Sequence, residues 1–242
     1  MKLSVLMPIF NERNWLEKAV QKILNIAIEG IDALELILVD DGSMDGTAEI
    51  VQKLYRENPK QIYPIFHKKN MGKGAAIKSA ISKMTGDICI IQDADLEYDP
   101  SNYSLLLEPI LSGHADCVYG SRFAGSQSKR VLLFWHYMGN QVLTLFSNML
   151  TNLNLTDMET GYKAFRADIL KTIPIRSSRF GFEPEITAKV AKRHHRIYEV
   201  GISYYGRTYS EGKKITWLDG LKAIFIIIKY WLIDDLYKDP DQ

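Results

Sequence analysis

The sequence predicts an α/β protein built on a mostly parallel sheet with helices on both faces. Three observations carry that prediction. Short β-branched runs recur through the first half of the chain, each gives way to turn residues and then to helical spacing, and the polar chemistry falls where the runs end. With 242 residues, 46% hydrophobic and 24% charged, the chain can bury one large core, or one core with a small extension.

The first run, LSVLMPIF, is apolar almost throughout, as a strand covered on both faces must be, and leads to Asn11 and Glu12. A helix is predicted from Asn14 to Ile28. The second run, ELILVDDGS, ends in Asp40 and Asp41, and Asp45 or Thr47 can cap a helix from Gly46 to Glu57. The third, IYPIFHKKN, passes through NMGKG into a helix from Lys73 to Met84. The fourth, DICIIQDAD, carries Asp93, Asp95 and then Glu97, and the fifth, ADCVYGSRF, reaches Arg122. Beyond Phe123 the alternation weakens. Helical material from Trp135 to Asn152 leads into DMETGYKAFR, FGFEPEITAKVAKR and YEVGISYYGRTYSEGKK, with no low-complexity linker or repeat, so the second half is expected to elaborate the same domain.

A formal net charge of +1 argues against a duplex nucleic acid partner, whose affinity rests on many phosphate contacts. Any anion must be held locally. Cys89 and Cys117 sit in apolar runs without metal-ligand spacing and read as buried thiols of a reducing compartment. The start lacks the features of a signal peptide, and the apolar stretch Ala223 to Ile228 is bounded by Lys222 and Lys229, well short of the roughly 20 residues that span a bilayer. A cytoplasmic protein without a transmembrane helix is expected.

In open parallel sheets ligands bind beyond the carboxyl ends of the strands, near a reversal of strand order, and here that rim collects carboxylates. Asp93 and Asp95, two apart, crowd two charges that a hard cation would compensate. With no histidine nearby, Mg²⁺ or Mn²⁺ fits, with Glu97 able to complete the set and substrate phosphates supplying further ligands. Taken alone, the pair reads equally well as a helix cap beside a solvated aspartate. Asp40 and Asp41 are placed to accept hydrogen bonds from a base or ribose, whereas Gly42, Ser43 and Gly46 read as turn chemistry. NMGKG offers backbone amides and the Lys73 cation to an anion, but it lacks the spacing of a P-loop. Arg122, Arg207, Lys213 and Lys214 supply the cations that a departing pyrophosphate needs. His194 and His195 read as structural residues near a helix end, and Trp15, Trp135, Trp217 and Trp231 as packing or interface anchors.

Taken together, MPIFNE, VDDGSMDGT, NMGKGAA, QDADLEYDP, GSRF, TGYKAFR and RTYSEGKK resemble family 2 glycosyltransferases, and within them the polyprenyl-phosphate (dolichyl-phosphate) mannosyl and glucosyl transferases. The resemblance implies the A-type glycosyltransferase fold, a mostly parallel Rossmann-like sheet, and an inverting single displacement from GDP-mannose or UDP-glucose to a polyprenyl phosphate at the cytoplasmic membrane face. By position, Pro8, Asn11, Glu12, Asp40 and Asp41 would line the nucleoside pocket with Asp93 beside the ribose. Asp95 and Glu97 would hold the metal, Arg122 and Arg207 would face the phosphates, and Lys213 would lie in a loop closing over them. Asp157 would stand near the acceptor, as general base toward a hydroxyl or as an orienting group toward a phosphate, which is largely dianionic at neutral pH.

Residues 1–215 then form the catalytic domain and 216–242 a C-terminal amphipathic helical extension. Its apolar residues, lysines and aromatics suit a membrane surface, and its spacing suits core packing equally well. A membrane-protein partner also fits. Two departures stand out: many relatives have Gln in place of Glu97, and many carry membrane helices after the catalytic domain. Three rival readings are a saccharide or protein hydroxyl as acceptor, a non-enzymatic phospho-receiver domain, and a nucleotidyltransferase. A receiver is far shorter, and a nucleotidyltransferase carries a glycine-rich basic loop after its first strand, which Phe10 to Arg13 does not match.

Overall fold

The computed structural model describes all residues except 126, 127, 129, 132, 180, 207–216 and 233–242, and only the backbone of 217–219 and 221. The five expected runs form β1 (Lys2–Ile9), β2 (Ala33–Asp40), β3 (Ile62–Phe66), β4 (Ile88–Ile91) and β5 (Cys117–Ser121), joined by β6 (Lys163–Arg166) and β7 (Ile197–Gly201). They make one seven-stranded sheet in the order β3-β2-β1-β4-β6-β5-β7.

Strand alternation divides the side chains between two cores. Leu3, Val5, Met7 and Ile9 of β1, Leu36 and Leu38 of β2, and Ile88 and Ile90 of β4 enter one core. Leu6, Ile37, Val39, Cys89 and Ile91 enter the other. Helices α1 (Leu16–Leu24), α2 (Thr47–Glu57) and α4 (Tyr103–Leu111) cover the first face. The second lies under α3 (Lys73–Ile81), α6 (Ala167–Thr172) and α7 (Phe182–Lys192). In α1 the buried residues Leu16, Ala19, Val20 and Ile23 follow helical spacing, and each large one contributes about 1.5–3 kcal/mol by leaving water. Both cysteines are free and buried, as expected, and burial pushes the Cys89 thiol up to about 12.

Four features differ from expectation. The first helix is shorter at both ends, the third stops at Ile81, and β6 and β7 extend the sheet. Moreover, β6 runs antiparallel to both β4 and β5. Four residues flanked by Lys163 and Arg166 give too short an alternation to read as a strand. The direction of β6 matters for function. It is the loop entering β6, residues 156–162, that reaches the rim where the parallel strands end.

The remaining long helices, α5 (Phe134–Thr151) and α8 (Trp217–Leu232), pack against each other, and α8 also packs on α7. In α8 Ala223, Ile227 and Tyr230 are buried while Phe225, Trp231 and Leu232 face solvent, so its described part docks on the domain and still shows an apolar outer side. No described helix is long and apolar enough to cross a membrane.

Candidate active site

Strand order reverses at β1, with β2 on one side and β4 on the other, so the ends of these strands open on one crevice. A cavity of about 550 Å³ lies there. Of the residues singled out in the sequence, Pro8, Glu12, Asp41, Lys73, Asp93, Asp95, Glu97 and Arg122 line it.

Asn11 and Asp40 are not among its lining residues. Asn11, in the left-handed region at φ 54°, staples two loops: its N–H donates to Ser43 Oγ at 2.9 Å, and its Oδ1 accepts from Met44 N at 2.9 Å. Asp40 is 3% exposed, and its Oδ1 is buried with no hydrogen-bond partner among the described residues. Arg207, Lys213 and Lys214 lie outside the described residues, as does the Trp217 side chain.

The NMGKG loop departs from the anion cradle expected of it. Met71 N and Gly72 N donate to the Asp41 carboxylate, Gly72 at 2.6 Å, and His67 Nδ1 lies 2.6 Å from Asp41 Oδ1. These amides therefore have an internal acceptor. Gly72, at φ 97°, passes so close to Ser178 O and Arg179 that a Cβ would collide, which explains glycine there. Lys73 is likewise claimed from within, lying 2.9 Å from Asp93 Oδ1 and 2.9 Å from Glu183 Oε1. Burial works against its charge, but Asp93 and Glu183 outweigh it and raise its pKa above the usual lysine value.

Beyond β4, Asp95 Oδ1 accepts from Glu97 N at 3.1 Å, a tight turn that aims both carboxylates at the cavity. Glu97 Oε2 accepts from the Tyr204 hydroxyl at 2.7 Å. Among the described residues no three histidine, cysteine or carboxylate side chains converge as a ready-made metal set. Asp93, Asp95 and Glu97 nevertheless line the same cavity, and Mg²⁺ or Mn²⁺ commonly takes one or two protein carboxylates and completes its shell with water and substrate phosphate. The donor set fits such an ion.

Arg122 follows β5. Its Nε and Nη2 donate to Asp157 Oδ2 and Oδ1 at 2.6 and 2.7 Å, and its guanidinium lies 5.3 Å from the centre of the Tyr204 ring. Burial opposes the charge, but Asp157 holds the guanidinium protonated, with a pKa raised well above normal. Asp157 is fully buried beneath it.

Five polar lining residues escaped the sequence reading: Tyr98, Glu159, Arg179, Glu183 and Tyr204. Glu159 and Glu183 do lie in segments already singled out, DMETGYKAFR and FGFEPEITAKVAKR, but nothing in their spacing distinguishes them from surface carboxylates. Burial, with the Glu183 charge, pushes the Glu159 carboxyl up to about 8. Beneath them Lys163 is fully buried, donates to the carbonyls of Met158 and Thr160, and lies 4.4 Å from the Tyr119 ring centre. Burial brings its pKa down to about 8 against the pull of Glu183 and Asp157.

A second cleft of about 470 Å³ meets the first at Arg122 and Tyr204. Phe123, Phe134, Tyr137 and Leu133 give it an apolar lining. Helix α5 forms its wall and contains no Asp, Glu, Lys or Arg, and its outward stripe of Trp135, Met138, Val142, Leu145 and Met149 is 37–81% exposed. Trp135, expected as a packing or interface anchor, is therefore not a packing residue, being 81% exposed.

Solved structures of glucosyl-3-phosphoglycerate synthase from Mycobacterium tuberculosis share the fold. One, in complex with Mn²⁺, UDP and glucosyl-3-phosphoglycerate, superposes with a TM-score of 0.72 at 20% identity, covering 97% of this chain and 81% of that one. In sequence, the chain is 28% identical over 236 residues to dolichol-phosphate mannosyltransferase of Pyrococcus furiosus, covering 95% of itself and 64% of that relative. It is 28% identical over 225 residues to undecaprenyl-phosphate mannosyltransferase of Micrococcus luteus, covering 88% of itself and 87% of the relative. A Salmonella choleraesuis undecaprenyl-phosphate 4-deoxy-4-formamido-L-arabinose transferase matches at 29% over 210 residues, 84% of this chain and 62% of that one. The chain thus spans under two thirds of two of these relatives. The model of the family described as glycosyl transferase family 2 matches residues 4–173, and the chain belongs to that family.

Proposed function

We propose that this protein moves a hexose from a nucleotide sugar, GDP-mannose or UDP-glucose, to a polyprenyl phosphate at the cytoplasmic face of a membrane, by an inverting single displacement aided by Mg²⁺ or Mn²⁺. The observation that carries this reading is the junction at Arg122 of a carboxylate-lined cavity with an apolar cleft. One suits a nucleoside diphosphate with its metal, the other an isoprenoid chain. The polyprenyl-phosphate transferases among the relatives support the acceptor, and the Mn²⁺ and UDP held by the structural neighbour support the donor chemistry.

In this reading Pro8, Glu12 and Asp41 border the nucleoside and Asp93 the ribose, with Asn11 and Asp40 shaping the loops behind them. Asp95 and Glu97 would hold the metal, with Asp93 beside them, and the bound ion would neutralise the charge growing on the pyrophosphate. Arg122, desolvated and permanently charged, faces the phosphates, and Arg207 and Lys213 are assigned to the same anion. Asp157 offers both oxygens to Arg122 and is sealed from solvent. That suits an orienting role and a phosphate acceptor, since a hydroxyl acceptor needs a base within reach of its proton. Radiolabelled GDP-mannose and UDP-glucose, offered with Mn²⁺ to a short-chain polyprenyl phosphate in detergent, test the proposal. Transfer to the lipid is expected, and transfer only to saccharide hydroxyls would overturn the acceptor.

A further inference from the structure

Hydrogen bonding along the inner wall of the main cavity is incomplete at one place. Glu159 lines the cavity beside Gly161 and Glu183, yet its Oε1 is buried and finds no partner among the described residues. Leaving a buried polar atom unpaired costs about 1–3 kcal/mol, so such atoms are rare and call for an explanation. Neighbouring groups have other partners. Glu183 pairs with Lys73, Lys163 donates to two carbonyls, and Asp157 is held by Arg122. Gly161 explains how the loop comes so near, since a Cβ there would strike the Asp93 carboxylate and Lys73.

Order along the cavity indicates the missing partner. With the nucleoside at the ends of β1 and β2 and the pyrophosphate near Asp95 and Arg122, the next part of a nucleotide sugar is its hexose. On the proposed reading it falls against the wall formed by Gly161, Glu159 and Glu183, next to Asp93. A neutral carboxyl offers one donor and one acceptor, the complement of a sugar hydroxyl, and burial together with the Glu183 charge keeps Glu159 neutral at pH 7.

We propose that Glu159 reads the transferred hexose: its carboxyl turns so that Oε1, otherwise closed off from the cavity, meets a ring hydroxyl, and it discriminates among nucleotide hexoses that differ at that hydroxyl. The proposal rests on the glycosyl-transfer reading above. It adds a specificity determinant to a wall that the metal and phosphate assignments leave without a role.

Calorimetric titration of the whole chain with Mn²⁺ tests it, using the pairs UDP-glucose with UDP and GDP-mannose with GDP. Glu159→Ala is expected to weaken the bound nucleotide hexose about 10-fold or more, the worth of one hydrogen bond to a buried group, while the matching nucleoside diphosphate changes by less than about 2-fold. Glu159→Gln keeps a neutral donor and acceptor and should stay within about 3-fold of the parent. Should Glu159→Ala fail to fold, Glu159→Met fills the volume without the hydrogen bonds and is expected to reproduce the selective loss. Equal weakening of hexose and diphosphate, or no change in either, overturns the role of Glu159. If the unmodified protein binds none of the four ligands, the glycosyl-transfer reading falls, and this proposal with it.

Discussion

Arg122 and Asp157 form a two-pronged ion pair with Asp157 fully buried, and it ties the end of β5 to the loop that enters β6. The Arg122 N–H adds a third bond to Asp157 Oδ2 at 3.1 Å, and Asn140 Nδ2 donates to Oδ1 at 3.2 Å. Removing one partner strands a buried charge, so Asp157→Ala should cost about 3–5 kcal/mol in urea unfolding. In a double-mutant cycle with Arg122→Met, the second substitution should add much less than its own single effect. Additive losses would show that the two side chains do not act as a unit.

Asp95 is assigned to the metal, and a ligand bound only by the folded protein raises its melting temperature. Nucleotide sugar with Mn²⁺ should therefore raise the Tm of the parent but not of Asp95→Ala. A retained, Mn²⁺-dependent shift in the variant would place the metal elsewhere.

The outer stripe of α5 is apolar, exposed and continuous with the cleft assigned to the isoprenoid. On the proposed reading a bilayer carrying that lipid would cover it, with the 81% exposed Trp135 settling at the interface as aromatic residues do. Trp135→Glu combined with Leu145→Glu should abolish flotation with phosphatidylcholine–phosphatidylglycerol vesicles while leaving binding of nucleoside diphosphate intact. Unchanged flotation would contradict the assignment, as would a parent protein that self-associates through this face and ignores vesicles.

Glu159 ties stability to pH with a definite sign. Its pKa rises from 4.5 to about 8 on folding, so the folded state binds more protons between those values. Its contribution is complete below 4.5 and is lost as pH climbs through about 8. Guanidinium unfolding from pH 5 to 8.5 should show Glu159→Gln gaining on the parent as pH rises. A constant gap between the two would mean that Glu159 is ionised throughout.

Glu35 has the opposite sign, at the rim away from the cavity. Burial raises its pKa, but Lys2, Ser4 and Thr85 outweigh it and bring the carboxyl down to about 2. The stability it supplies is present above 4.5 and lost as pH falls toward about 2. Glu35→Gln should lower stability by about 1–2 kcal/mol at pH 7, with the gap closing in acid and nucleotide binding unaffected.

The parallel half of the fold was legible because β1, β2 and β4 are buried on both faces and so carry unbroken apolar runs closed by charged turns. Their ends supplied Pro8, Glu12, Asp41, Asp93, Asp95 and Glu97, which do meet in one cavity. The side that carries α5 and α8 was less legible. Helix α5 carries apolar residues on its exposed side as well, and the amphipathic spacing of α8 alone does not tell which apolar side chains are covered by a neighbouring helix.

What the sequence by itself determined is the first five strands, the helices α1 to α3 and the carboxylates at the strand ends, since these follow from local periodicity and turn chemistry. Only the tertiary structure decided how those groups are used. Because β6 runs against its neighbours, its entering loop carries Asp157, Glu159 and Gly161 to the rim, dozens of residues from the aspartates they face. Internal partners then settled the rest: Asp41 takes the loop amides expected to bind an anion, Lys73 bridges Asp93 and Glu183, and Asp157 fixes Arg122. Hydrogen bonds and ion pairs between distant segments depend on distances that only the folded chain sets, and no local pattern encodes them.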